Sequence, residues 1–194
     1  MNSKQHELKT ARCDLRLPII EDSIRIFDAI SFPAYPKQLV MSQLKSIREA
    51  EAWVEQILSG FKNGTLYAWS FYLKDTPSLL GQIRLTKYKD TEKWSLAFWC
   101  HPDSWGKGFV FEAATYALDY AFGHLSINLI FAGAGLWNKP SIRILEKLGM
   151  RFIRENNNGY AVDNEIIPTR EYEIDAETWK NSRGGLLRLK RKLT

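Results

Sequence analysis

The sequence changes rhythm at Trp105-Gly106-Lys107-Gly108, and that change limits the folds open to the chain. Ahead of it lie three runs of strand character, "TLYAWSFYL" (65–73), "LLGQIRLTKY" (79–88) and "KWSLAFWC" (93–100). The polar turns "DTPS" and "KDTE" join them, and strands joined so tightly form an antiparallel meander. Behind the glycines, Val110, Ala114, Ala117 and Ala121 recur at helical spacing up to Gly123. This stripe of small side chains lets a helix lie close on a sheet. A strand (126–135) and the helix "NKPSIRILEKLG" follow, the latter with Pro140 in its first turn and Gly149 just past its end. "MRFIRE" is then a strand, "NNNG" (156–159) a turn and "TREYEID" (169–175) a last strand. A strand–helix–strand–helix–strand unit attached to an antiparallel front half predicts an α+β fold: a mixed, largely antiparallel sheet flanked by helices.

The front half adds a strand in "DLRLPII" (14–20) and a short helix in "EDSIRIFDAI" (21–30), broken near Pro33 and Pro36. Ser46 and Glu49 form a capping-box pair. After them Ile47, Ala50, Trp53, Val54, Ile57 and Leu58 repeat with helical period, with Gly60 as the expected stop and Trp53 as a core residue.

The 194 residues suit one domain, here 12–182, between a polar extension (1–11) and a basic tail (183–194). No apolar run approaches the roughly 20 residues that span a bilayer, and the N-terminus lacks the apolar centre of a secretory signal. Cys13 and Cys100 offer neither a disulfide framework nor metal-ligand spacing, so no metal is expected and a cytoplasmic setting with reduced thiols is. The net charge of +5 comes from Arg183, Arg188, Lys190, Arg191 and Lys192, since the rest of the chain carries no formal net charge. Such a tail is either a solvated end or an electrostatic contact for RNA, a ribosome or an acidic lipid surface.

A glycine pair where a helix begins removes the Cβ atoms that keep an anion from unpartnered N–H groups. The loop lacks the Ser or Thr of a Walker A motif, and it does not complete a dinucleotide fingerprint. Alone it reads equally as a tight connection. Its surroundings decide more. Trp105, Gly106, Lys107, Gly108, Glu112 and Ala113, followed by Asn138, Ser141, Glu146, Lys147 and Gly149, resemble the two motifs of the GNAT acetyltransferase superfamily. The resemblance is nearest to the branch of ribosomal-protein N-terminal acetyltransferases and covers roughly residues 12–180, with Met150 where phenylalanine is usual.

The resemblance implies that Trp105, Gly106, Lys107, Gly108, Phe109 and Val110 cradle the pyrophosphate of acetyl-CoA. Lys107 adds a point charge or is simply solvated, and Glu112 complements or caps the helix start. It implies a splayed strand pair beside the loop, with Phe98, Trp99 and Cys100 offering main-chain groups to the pantetheine arm. Asn138 contacts that arm, caps its helix, or does both. The implied activity is direct acetyl transfer to a primary amine, a protein N-terminus or a small molecule, with no metal and no cysteine nucleophile. Monomer and homodimer both remain open.

For catalysis, Ser95 stands where many relatives carry a glutamate base, and no tyrosine occurs between Tyr120 and Tyr160 to serve as acid. Ser141 is either a donor to the leaving thiolate or a helix-capping hydroxyl. His101 is a candidate base or a loop histidine, and Glu171 and Glu173 are candidates to face the acceptor. The competing readings are a non-catalytic CoA-binding or protein-interaction module and an RNA-binding module built on the tail.

Overall fold

The computed structural model describes residues 6–76 and 78–182. Residues 1–5, Pro77 of the expected "DTPS" turn and the basic tail 183–194 lie outside the described residues. The element order is β1 (Leu8–Lys9), β2 (Cys13–Arg16), α1 (Asp22–Ser31), α2 (Ile47–Lys62), β3 (Leu66–Leu73), β4 (Leu79–Lys87) and β5 (Trp94–Cys100). Then come α3 (Phe109–Gly123), β6 (Leu129–Gly135), α4 (Lys139–Lys147), β7 (Arg151–Val162) and β8 (Glu165–Asp175). The strands form one sheet in the order β1-β2-β3-β4-β5-β6-β8-β7, antiparallel throughout except where β5 meets β6. This is the mixed, largely antiparallel sheet expected.

Helices cover both faces. On one, α3 presents Val110, Ala113, Ala114, Ala117 and Ala121 to Ile83, Leu85, Leu96 and Ile130 of the sheet. On the other, Ile26 and Ala29 of α1 and Ala50 and Val54 of α2 pack with Leu79 and Trp99. Ser46 caps α2 by accepting from the Glu49 N–H at 3.2 Å, while the Glu49 carboxylate accepts from the Lys45 N–H at 2.7 Å, one residue before the box pattern places it. The end of α4 is a Schellman motif: Gly149, at φ +79°, donates to Glu146 at 2.9 Å and Met150 donates to Leu145 at 3.1 Å.

Three expectations are corrected. Helix α2 does not stop at Gly60 but continues to Lys62 and closes at Asn63. "NNNG" is not a turn: it lies inside β7, where the register with β8 slips between Asn156 and Tyr160, making it a bulge. The hairpin instead turns at Asp163 and Asn164, both with positive φ, the two-residue geometry that matches strand twist. Trp53 is only partly buried, and its indole N–H has no hydrogen-bond partner among the described residues. The short β1, a 3₁₀ turn at Val40–Gln43 and a helical stretch at 176–182 carried no periodic signal long enough to read. No described helix is long and apolar enough to cross a membrane.

Candidate active site

Strands β5 and β6 pair only at Trp94–Ile130 and Ser95–Phe131. Beyond that they part, and the opening leads into a cavity of about 500 Å³. Its walls come from Leu96–Trp99 on β5, Gly133–Gly135 on β6, and Asn138 and Ser141 at the start of α4. Tyr35, Trp53 and Arg84 line it as well, Arg84 on β4 directly beside Ala97.

The register of β4 and β5 fixes which main-chain groups face the opening. Tyr88 donates to Lys93 and His101 donates to Leu80, both at 2.8 Å, and the pairing between them is unbroken. Alternation then turns the N–H and C=O of Ser95, Ala97 and Trp99 toward β4, and those of Leu96, Phe98 and Cys100 toward the gap. The Cys100 carbonyl is already held by the Trp105 indole N–H at 2.8 Å. Phe98 therefore keeps both its donor and its acceptor for the gap, while Cys100 keeps only its N–H. Trp99 reaches the cavity with its side chain, whose indole N–H donates to Gln82 at 3.0 Å. From Gln82 a buried chain of hydrogen bonds runs through Ser70 to Asp22, at 3.1 and 2.7 Å.

The glycine loop follows the free end of β5, to which the Trp105 indole ties it. Gly106 and Gly108 have φ of +72° and +78°, a region where side chains other than glycine are strained. A Cβ on Gly106 would meet nothing within 4 Å, so the backbone there is bare toward open space. Gly108 is the N-cap of α3 and no side chain caps the helix, which leaves the first-turn N–H groups from Phe109 onward unpartnered.

A residue that local patterns could not reveal braces the loop. The Arg12 guanidinium donates to the Lys107 carbonyl at 2.9 Å and to the Glu112 carboxylate at 2.6 Å, and lies over the Phe109 ring. The Arg12 main-chain N–H donates to Glu112 at 2.8 Å as well. Burial alone would raise the Glu112 pKa, but hydrogen bonds from Thr10 and Arg12 outweigh it and hold the carboxyl below its ordinary range. Glu112 is thus the anchor of a brace 100 residues long in sequence rather than simply a dipole complement. Lys107 bends back to the Asp103 carbonyl at 2.8 Å.

The catalytic candidates separate cleanly. Asn138 caps α4, its side chain accepting from the Ser141 N–H at 3.2 Å. Ser141 is therefore not the cap; it lines the cavity, and its hydroxyl bonds no other described residue. Ser95 lies outside the cavity wall, its hydroxyl 3.4 Å from the Thr86 carbonyl. His101 is buried, with Nε2 at 3.1 Å from Asp28 and Nδ1 against Asp103, so both nitrogens latch α1 to the loop and neither faces the cavity. Glu171 accepts from Arg154 and Asn156, and Glu173 pairs with Arg151, so these carboxylates are neutralised along the hairpin and do not line the cavity. Burial pushes the Cys100 thiol up to about 12, unsuited to a thiolate nucleophile near neutral pH. Tyr160, the first tyrosine after the motif, does line the cavity, brought there by β7, and burial raises its pKa.

An acetyltransferase (GNAT) domain matches residues 12–151. The uncharacterized N-acetyltransferase p20 of Bacillus licheniformis is 26% identical over 145 residues, which are 74% of this chain and 82% of p20. A GNAT-family acetyltransferase structure from Bacillus anthracis superposes with a TM-score of 0.77 at 22% identity, covering 88% of this chain and 99% of that one. The ribosomal L7/L12 α-N-protein acetyltransferase in complex with coenzyme A superposes with a TM-score of 0.78 at 10% identity, covering 87% and 97%. Those superpositions speak for the fold, and the domain match for descent: the chain belongs to the GNAT family of acetyltransferases.

Proposed function

We propose that this acetyltransferase uses acetyl-CoA to acetylate a primary amine by direct attack, without an acyl-enzyme. The observation that carries the reading is the parting of β5 and β6 after two residue pairs, which frees the β5 edge that runs on toward the glycine loop. The residues present fit the cofactor: the bare backbone at Gly106 suits the close approach of an anion, the α3 N-terminus is uncapped, and the free edge of β5 can accept an extended amide chain. Main-chain N–H groups from Gly106 to Val110 would hold the pyrophosphate, and Phe98 and Asn138 the pantetheine arm. Bound acetyl-CoA supplies an activated thioester to the amine.

The protein's part is positioning and electrostatics. The Phe98 N–H faces the gap and can stabilise negative charge developing on an acyl oxygen. The Ser141 hydroxyl, open to the cavity, can donate a proton or hydrogen bond to a leaving sulfur. Tyr160 stays protonated near neutral pH, so it too is a donor. No carboxylate or imidazole lines the cavity among the described residues. The acceptor amine therefore sheds its proton to water. Buried, unpaired Cys13 and Cys100 support a reducing, cytoplasmic setting.

The test is calorimetric titration with acetyl-CoA together with free-thiol release against a panel of peptides and small amines. Binding with turnover of at least one amine is expected. No acetyl-CoA binding, or binding with no turnover across the panel, overturns the proposal.

A further inference from the structure

We propose that the acceptor amine carries an anionic group, a carboxylate or a phosphate, held by Arg84; this rests on the acetyl-transfer reading above. Arg84 is the sole charged residue lining the cavity among the described residues. Its guanidinium stacks on the Trp53 ring at 4.7 Å from the centroid and has no hydrogen bond or ion pair with any described residue. Burial works against its charge, and no carboxylate among the described residues pairs with it to offset the cost.

The sheet leaves room over this cation. Arg84 pairs with Ala68 on β3 and Ala97 on β5, so the side chains beside it on both neighbouring strands are single methyl groups. Ala97 precedes Phe98, whose main chain faces the cofactor gap, so Arg84 stands one strand away from the edge expected to hold the acyl group. Neighbouring strands lie about 4.8 Å apart, a spacing that suits a small molecule with an amine and an acid a few bonds apart. Two further donors on the same walls, the Tyr35 hydroxyl and the Trp53 indole N–H, are buried without partners. A guanidinium fork matches a carboxylate or phosphate in two parallel bonds. By contrast, a polyamine would meet a cation and no carboxylate. The cofactor does not explain Arg84 either: its phosphates belong to the loop at Gly106–Gly108, which is outside the cavity wall.

The experiment compares matched acceptors by thiol release. Alanine, β-alanine and longer ω-amino acids are each run beside their carboxamide and their decarboxylated amine, and phosphoethanolamine beside ethanolamine. One anion class should exceed its neutral partner by about tenfold to a hundredfold in kcat/KM, the range of a charge-assisted hydrogen bond. Arg84→Met should bring the two members of each pair to the same rate, and Arg84→Lys should restore part of the difference. Acetyl-CoA titration of each variant reports an intact cofactor site. A wild-type preference for the neutral partner or for a polyamine, or a preference that survives in Arg84→Met, overturns the proposal. A binding arm separates its failure from that of acetyl transfer. N-acetylalanine and N-acetylalaninamide are titrated by tryptophan fluorescence, without turnover. Tighter binding of the acid in the wild type, lost in Arg84→Met, sustains the anion site even if no amine is acetylated; equal binding of acid and amide removes it.

Discussion

Ser141 and Asn138 stand three residues apart and should fail in opposite ways. Asn138 supplies the cap of α4, a helix of nine residues in which one end bond is a large share of the total. Replacing a capping Asn by Ala costs about 1 kcal/mol, within a range of roughly 0.5–2. For a chain of this size that lowers Tm by about 2–4 °C. Ser141→Ala deletes a hydroxyl that no other described residue uses, so stability should change by less than about 0.5 kcal/mol. If that hydroxyl donates to the leaving sulfur, its loss removes a bond to a developing anion, worth about 1.5–3 kcal/mol, or roughly tenfold to a hundredfold in rate. Because the bond strengthens only as charge builds, kcat should fall while acetyl-CoA affinity holds. Melting curves paired with single-turnover kinetics separate the two variants. A Ser141→Ala protein that loses several degrees of Tm and keeps its kcat would refute the assignment of both residues.

The glycine loop allows a graded test. Gly106→Ala introduces left-handed strain of about 1–2 kcal/mol without a clash, so melting should shift and acetyl-CoA affinity should fall about tenfold at most. Gly108→Val forces a β-branched residue into a backbone at φ +78°, disfavoured for L side chains, at the start of α3, and should abolish acetyl-CoA binding in a folded protein, whereas Lys107→Ala should cost about 1 kcal/mol or less. Without a base in the cavity, kcat/KM should rise with pH up to the pKa of the free acceptor amine; an enzyme inflection between about pH 5 and 8 would reveal a base the cavity wall does not show. Glu112 has its pKa lowered in the fold, so it contributes stability above its unfolded pKa, and that contribution is lost as pH falls through the folded value. Glu112→Gln should therefore lower stability near pH 7 and flatten the acid limb of a Tm-against-pH curve, and an unchanged acid limb would remove the Arg12 brace.

How far the site could be read in advance depended on how local each signal was. The glycine loop, the alanine stripe of α3 and the Gly149 helix end are written in adjacent residues, because backbone geometry over three or four positions demands particular side chains there. The parting of β5 from β6 was legible only through the resemblance to a family, since nothing in "WSLAFWC" marks where pairing stops. Ser141 looked like a cap because a hydroxyl in a first helical turn satisfies the same N–H groups that Asn138 satisfies; spacing alone does not rank the two. His101 stays open between base and loop histidine in the sequence because its neighbours there are silent about Asp28, which lies 73 residues away. "NNNG" has turn chemistry, yet the same freedom serves a bulge, and Asp163-Asn164 made the tighter hairpin. Arg12 and Arg84 show the limit most plainly. Each is one cation among 27 basic residues, and no periodicity distinguishes it. The distinction arises only when the fold sets Arg12 against Glu112 and leaves Arg84, flanked by two alanines, with no carboxylate partner among the described residues. Motifs therefore point to the end of the cavity proposed to hold the cofactor. The proposed acceptor end is built from long-range placements, and there the case for a substrate rests on a cation on β4 that has no ion pair among the described residues rather than on any motif.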